Sequence, residues 1–305
     1  MKVTNVHNLP ESFVNAMTWD ARKPDSNRMS VTDLIGPPQI RKLKIQHWDG
    51  IKVKSDCCNG TGIKEGMKCQ KCEGRGYVIK DELEDDIGNR LWLLLGKSIH
   101  YVLEKGAPDE ARAEEKLTFE IDGFTLVGIT DLLHNTELSD YKITSVYSFL
   151  LGDKPEWENQ LNCNAFLYRK AGFQVASLKI YAILRDWQSS KVDTSADYPE
   201  IPFKEVSIPL WPIEGQERYI KSRIEAHKME TPACSNEERW LRGEKWAVYK
   251  KGNKTAFRLF DTEEEANGLF ATNPIFEVRH RPGTFNRCKK PCPVRTFCKQ
   301  NKEAL

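Results

Sequence analysis

Long apolar runs are missing from this chain. No 18 consecutive apolar residues occur, and the opening MKVTNVHNLPESF lacks the apolar segment of a secretory signal. The expectation is a protein that neither spans a membrane nor is exported, and that works in the cytoplasm. A charge imbalance is missing as well. Lys and Arg number 46 against 44 Asp and Glu, a net of +2, so any nucleic-acid surface must be a local patch. Repeats and low-complexity tails are absent too. What is present fits a folded protein. The 305 residues are 39% hydrophobic, enough for a sizeable core in one large domain or two ordinary ones. Nine cysteines in a chain without an export signal point to metal or redox chemistry before disulfides.

Helix and strand signals mix along the chain, which predicts the α/β class: a mixed central sheet flanked by helices. Residues 1–51 hold Ser/Thr caps and a basic helix after Pro37-Pro38. Residues 52–80, rich in Gly, Lys and Cys and poor in core formers, read as a small inserted module. Within 81–200, GNRLWLLLGKSIHYVLEKG predicts a well-buried helix, followed by strands near 116–121 and 124–133. A helix in PEWENQLNCNAFLYRKAG and a buried strand in QVASLKIYAILRDW come next. Residues 201–305 carry an amphipathic helix, a hairpin about KGNK, a short helix, another strand and a cysteine-rich tail.

The segment TLVGITDLLHNTELSDYK (125–142) places Asp131, Asp140 and Lys142 among aliphatic residues. Two short apolar runs about polar turn-formers signal a hairpin. With the turn centred on Asn135 and Thr136, Asp131 falls opposite Asp140, with Cβ atoms roughly 4.5–5.5 Å apart. Like charges so placed are destabilising, and buried ones more so. Lys142 offsets part of that cost, and a divalent ion between the carboxylates would offset the rest. A solvated hairpin with three surface charges is the alternative. The trio suits phosphodiester hydrolysis. Carboxylates hold Mg²⁺ or Mn²⁺, which polarises phosphate and acidifies water. A lysine alongside orients the water and steadies developing charge.

A literal PD…EXK match also exists, Pro108-Asp109 with Glu114-Glu115-Lys116. Its acids are only five positions apart, and no apolar strand is evident around them, so the expectation sets it aside. His100 lies on the predicted helix beside Leu95, Ile99, Val102 and Leu103, and Glu115 just precedes a predicted strand. Gln160, Asn164 and Tyr168 recur at helical spacing as one polar stripe, which a solvated helix face would also show.

Taken in order, GKSIH (96–100), Glu115, GITD (128–131), DYK (140–142) and QLNCN (160–164) resemble the RecB-type branch of the PD-(D/E)XK nuclease superfamily. With SVTDLIGPP, EWENQLN, PACSNEERW and RCKKPCPVRTFC, the likeness extends to nucleases of this type from bacteriophages and prophages. It covers nearly the whole chain outside 52–80. The resemblance implies a restriction-endonuclease-like core and a Mg²⁺- or Mn²⁺-dependent deoxyribonuclease. An exonuclease of phage recombination or DNA processing is the leading form, active in the bacterial host cytoplasm. It implies metal at His100, Asp131 and Asp140, Glu115 as a supporting acid, and Lys142 as the catalytic lysine. Gln160 would contact substrate or order the active site and Tyr168 would meet substrate, although the family's Gln-x-x-x-Tyr reads Gln160-x-x-x-Asn164 here, with Tyr168 one turn later. DNA, and a phage recombination or single-strand-annealing protein, are the implied partners. A non-catalytic nucleic-acid-binding or assembly protein on the same fold is the alternative.

The tail spaces Cys288, Cys292 and Cys298 as C-x3-C-x5-C. In RecB-type iron–sulfur nucleases an amino-terminal cysteine joins such a set. Pro37-Pro38 stands in that place here, so Cys234 is assigned instead, giving one 4Fe–4S cluster with zinc as the alternative. Arg287, Lys289, Lys290, Arg295 and Lys299 make this end basic, a phosphate-contacting rim or simply a solvated tail. The insertion resembles half of the cysteine-rich zinc domain of DnaJ-type chaperones, whose pattern is CxxCxGxG. CQKCEGRG matches fully; in the other half Ser55 takes the leading cysteine's place and Cys57 adjoins Cys58. Cys57, Cys58, Cys69 and Cys72 are expected to bind Zn²⁺, with adjacent cysteines straining the geometry. A chaperone-like function would rest on this motif alone, without a His-Pro-Asp stretch.

Overall fold

The computed structural model describes all residues except 19–22, 153, 195, 231, 272–274, 290–291 and 303–305. Lys290 of the basic tail therefore lies outside the described residues. Two compact units form, Met1–Pro232 and Ala233–Leu305. The expected division at residue 201 is corrected: the strand Phe203–Ile208 and the helix Ile213–Lys228 belong to the first unit.

The first unit is built on a mixed sheet. Its elements are β1 (Arg28–Ser30), α1 (Val31–Ile35), α2 (Pro38–His47), α3 (Leu91–Lys105), β2 (Arg112–Ile121) and β3 (Phe124–His134). They continue with β4 (Glu137–Thr144), α4 (Pro155–Lys170), β5 (Ser177–Leu184), β6 (Phe203–Ile208) and α5 (Ile213–Lys228). The hairpin β2–β3 is antiparallel along its whole length, Ile121↔Phe124 to Arg112↔Leu133. The other edge of β3 is divided. β1 pairs parallel with Thr125–Val127, and β4 pairs antiparallel with Leu132–His134. β4 and β5 run parallel, joined through α4, because parallel neighbours need a crossover. β6 closes the far edge antiparallel to β5.

Alternation along β5 sets Leu178, Ile180, Ala182 and Leu184 on one buried face. The first three meet Leu133, Leu138, Leu161, Ala165 and Tyr168, so α4 is the central helix. A second cluster joins Phe166 and Leu167 of α4 to Met29, Leu34, Leu126, Ile220 and Ile224. Gly128 allows this approach: a Cβ there would lie 2.4 Å from Leu167 Cδ1 and 2.5 Å from Asn164 Oδ1. Ser30 caps α1 by accepting from the Asp33 N–H at 3.0 Å. One expectation is corrected here. Among its described residues α3 buries none fully; Trp92, Tyr101 and Val102 are exposed, so its apolar stripe covers the sheet only in part.

Residues 52–80 fold as a stalk and a knuckle. Ile51–Lys54 pairs antiparallel with Tyr77–Lys80, and a two-residue ribbon joins Ile63–Lys64 to Met67–Lys68. The second unit contains a three-stranded antiparallel sheet, Arg258–Phe260, Lys245–Lys250 and Phe276–Arg281, with the helix Glu263–Phe270 packing Ala266 on Val248 and Phe276.

Candidate active site and cysteine clusters

The hairpin register places Leu138 opposite Leu133 and Ser139 opposite Leu132. Continued by one residue, it brings Asp140 opposite Asp131, as the turn residues predict. Pairing stops there. Asp131 Oδ2 turns into the gap and accepts the Tyr141 N–H at 2.5 Å. The β2 ladder likewise passes from Ala113↔Leu132 to Glu115↔Thr130, which sets Glu114 beside Asp131 with a left-handed backbone, φ 49°. The opened sheet thus holds acids on neighbouring strands.

His100 comes in from α3. Its Nδ1 lies 3.2 Å from Asp131 Oδ1 and 3.7 Å from Glu114 Oε1, and its ring meets Tyr141 edge-on at 6.0 Å. One ligand atom from each of His100, Glu114 and Asp131 falls within 4.8 Å of the other two. The hydrogen bond with Asp131 raises the histidine above its ordinary pKa, against the opposing effect of burial. Burial, then the charge of Asp131, raises Glu114. Beside this set, Lys142 Nζ lies 2.5 Å from Asp140 Oδ2 and donates to Gln160 Oε1 at 2.8 Å. Gln160 Nε2 in turn donates to Asp140 Oδ1 at 3.0 Å. Asp140 is only 2% exposed, and burial lifts its pKa to about 6; Asp131 adds to the rise while Lys142 and His100 oppose it.

Five residues named from sequence, His100, Asp131, Asp140, Lys142 and Gln160, are therefore brought together. The donor set differs from the expected one. Asp140 Oδ1 accepts from Gln160, its Oδ2 lies against Lys142 without a hydrogen bond of good geometry, and Glu114 forms the tight group with His100 and Asp131. Glu115 points elsewhere, as alternation requires of its neighbour. It pairs with Arg112 at 2.9 Å and adjoins Tyr168. Tyr168, expected at substrate, is instead 1% exposed and packed on Phe173. In the stripe Gln160–Asn164–Tyr168 the last two are buried and Gln160 is half-buried, and Gln160 is the one that meets Asp140. Glu114 was visible in the EEK triplet that sequence reasoning set aside for want of an apolar strand. β2 nevertheless begins at Arg112, because β3 supplies its pairing.

In the insertion, Cys58, Cys69 and Cys72 are buried with sulfurs mutually within 4.8 Å, and Cys58 Sγ lies 3.6 Å from Cys72 Sγ. Cys57 is half-buried and packs against the trio, but its sulfur is not one of the three grouped within 4.8 Å. Burial raises the Cys58 thiol, but Ser55, the Gly62 N–H and the other two cysteines together bring it down to about 6.

In the second unit, Cys234 is raised to about 12, by burial first, then Glu238, then Cys298, Cys292 and Cys288. Cys234 and the three tail cysteines thus share one neighbourhood. Arg287 joins them, its charge disfavoured by burial and favoured by the thiols. Gln300 ties Cys234 in place through its N–H at 2.8 Å and its carbonyl at 3.2 Å. Among the described residues, no three of these sulfurs lie mutually within 4.8 Å.

Among known proteins, no family model and no curated protein matches this chain. A solved structure, the crystal structure of SSO0001, superposes at a TM-score of 0.40 with 14% identity, over 73% of this chain and 85% of that one. That likeness carries no argument about activity. No helix among the described residues is long and apolar enough to cross a membrane.

Proposed function

We propose that the protein is a divalent-metal-dependent DNA nuclease of the RecB-type PD-(D/E)XK class, acting as an exonuclease in phage-type DNA processing. The single observation that carries this reading is the opened β3–β4 hairpin, where Asp131, Asp140 and Lys142 converge with His100 and Gln160. A packing role does not account for it. Two apposed acids, 7% and 2% exposed, cost stability unless a cation is meant to sit beside them. On this reading β2–β5 with α4 is the restriction-endonuclease-like core.

The donor set, one imidazole and two carboxylates, fits Mn²⁺ and Mg²⁺. When bound, the ion would polarise the scissile phosphate and lower the pKa of a water. His100, Glu114 and Asp131 would hold it. Lys142, oriented by Asp140 and Gln160, would position the attacking water and balance developing negative charge. At the tail, one zinc ion with bonds near 2.3 Å would draw its sulfurs to about 3.8 Å. There the resemblance to the RecB-type iron–sulfur nucleases favours a 4Fe–4S cluster, with zinc as the alternative. The tight trio of the insertion has the single-ion spacing and is read as a zinc site. End-labelled linear DNA with Mn²⁺ or Mg²⁺ tests the activity. Wild type should degrade it, and Asp140→Asn should lose at least about a hundredfold in rate. Equal degradation by both removes this active site.

A further inference from the structure

The knuckle has an internal twofold that places a residue at its fourth corner. Shifting the sequence by 14 residues maps Ser55, Cys58, Gly60 and Gly62 onto Cys69, Cys72, Gly74 and Gly76. The backbone obeys the same operation. Ser55 N–H donates to Gly76 O at 3.0 Å, and Cys69 N–H to Gly62 O at 2.9 Å. Gly60 N–H reaches Ser55 O at 3.0 Å, and Gly74 N–H reaches Cys69 O at 3.1 Å. Gly62 and Gly76 each donate to a sulfur, of Cys58 and Cys72, at 3.3 Å. Both halves fold so tightly that a Cβ on Gly62 would lie 2.2 Å from Gly74 O, and one on Gly76 would lie 2.3 Å from Gly60 O.

Under this symmetry Cys69 has one partner, and it is Ser55. The serine is fully buried, adjoins the Cys58 thiol, and its Oγ has no hydrogen-bond partner of good geometry within the protein. A buried hydroxyl left in that state is costly unless something else uses it. Cys57, the other candidate, has no symmetry mate among the cysteines, since its counterpart by the same shift is Lys71.

We propose that Ser55 Oγ is the fourth donor of a zinc site whose other donors are Cys58, Cys69 and Cys72, with Cys57 not a ligand. The site is then three thiolates and one oxygen, a tetrahedral set closed to solvent. A hydroxyl is a weaker donor to zinc than a thiolate, so the ion is held less tightly than by four cysteines and exchanges more readily. The inference rests on the zinc reading of the insertion and not on nuclease activity.

Cobalt substitution of the full-length protein tests it, because the thiolate-to-cobalt charge-transfer band counts sulfur ligands. Wild type should show three thiolates, and Cys57→Ser should leave both the band and zinc affinity, measured by competition with a chromophoric chelator, unchanged. Ser55→Ala should weaken zinc affinity about tenfold or more while keeping the three-thiolate band. Ser55→Cys should tighten it and raise the count to four. If Ser55→Ala fails to fold, Ser55→Cys and Cys57→Ser still decide the matter. A four-thiolate wild type, a band diminished by Cys57→Ser, or affinity unmoved by both Ser55 variants would overturn the serine assignment alone. Absence of any stoichiometric cobalt or zinc binding would instead overturn the zinc reading beneath it.

Discussion

Two regions of the first unit gather side chains able to hold a metal ion by opposite routes. The knuckle takes Ser55, Cys58, Cys69 and Cys72 from one short segment, positioned by backbone bonds within that segment. The acidic site draws on α3, β2, β3, β4 and α4, from His100 to Gln160, and none of those elements holds the geometry by itself. A local site depends on its ion for order, since the segment has little apolar content to bury. An assembled site depends on a sheet that exists whether or not an ion is bound. The first should therefore collapse when its ligands are removed, and the second should lose chemistry before it loses structure.

The largest expected effect breaks the local site. Cys72→Ala should abolish zinc binding and disorder residues 52–80, since structural zinc contributes on the order of 10 kcal/mol to comparable modules. Metal analysis would read the loss, and limited proteolysis would read disorder confined to the insertion. If the remaining body also unfolds, the two regions are energetically coupled.

Next comes Lys142→Ala. It leaves Asp140 buried beside Asp131 without its nearest cation. Because Lys142 is 23% exposed and Asp140 can take up a proton, the cost should be about 1–3 kcal/mol. The sign with pH is specific. Asp140 titrates near 6 in the folded protein, above its unfolded value, so the folded state binds the extra proton below that pH. Lys142→Ala should therefore destabilise more at pH 8 than at pH 5 in denaturant titrations. A pH-independent deficit would place the lysine's role elsewhere.

A smaller effect separates two adjacent glutamates. Glu114→Gln should weaken Mn²⁺ binding about tenfold, whereas Glu115→Gln should leave it unchanged. Calorimetric titration of each variant decides it, and the reverse order would restore the sequence-based assignment of Glu115. The smallest effect concerns the body that carries the assembled site. His227 Nε2 lies 3.1 Å from Leu34 O, and burial holds its pKa below 6.5. The unfolded chain then binds the proton more readily, so the histidine's destabilising effect enters as pH falls below about 6.5. His227→Gln should flatten that part of the stability–pH curve by under about 1 kcal/mol.

Most of the linear order of elements was legible. The α4 helix, the buried alternation of β5 and the β3–β4 hairpin follow from short-range periodicity and turn residues. The hairpin register was legible to the residue, since Asn135 and Thr136 set which side chains oppose one another. Glu114 was not, because β2 begins where its own residues are polar and only β3 makes it a strand. The polar stripe of α4 was misread for a related reason. Asn164 and Tyr168 look solvated in a helix considered alone, yet Gly128 lets the helix approach until both are enclosed.

By itself the sequence determined what adjacent residues decide: the paired acids of one hairpin, the lysine two residues on, and the doubled cysteine–glycine pattern of the knuckle. Backbone alternation and turn chemistry act over a few residues, and those features need nothing longer. The tertiary structure alone decided which glutamate meets His100, that Tyr168 belongs to the core, and that Cys58, Cys69 and Cys72 form the tight trio of sulfurs. Those outcomes depend on where a strand stops pairing and how closely two segments approach, and packing between distant parts of the chain sets both.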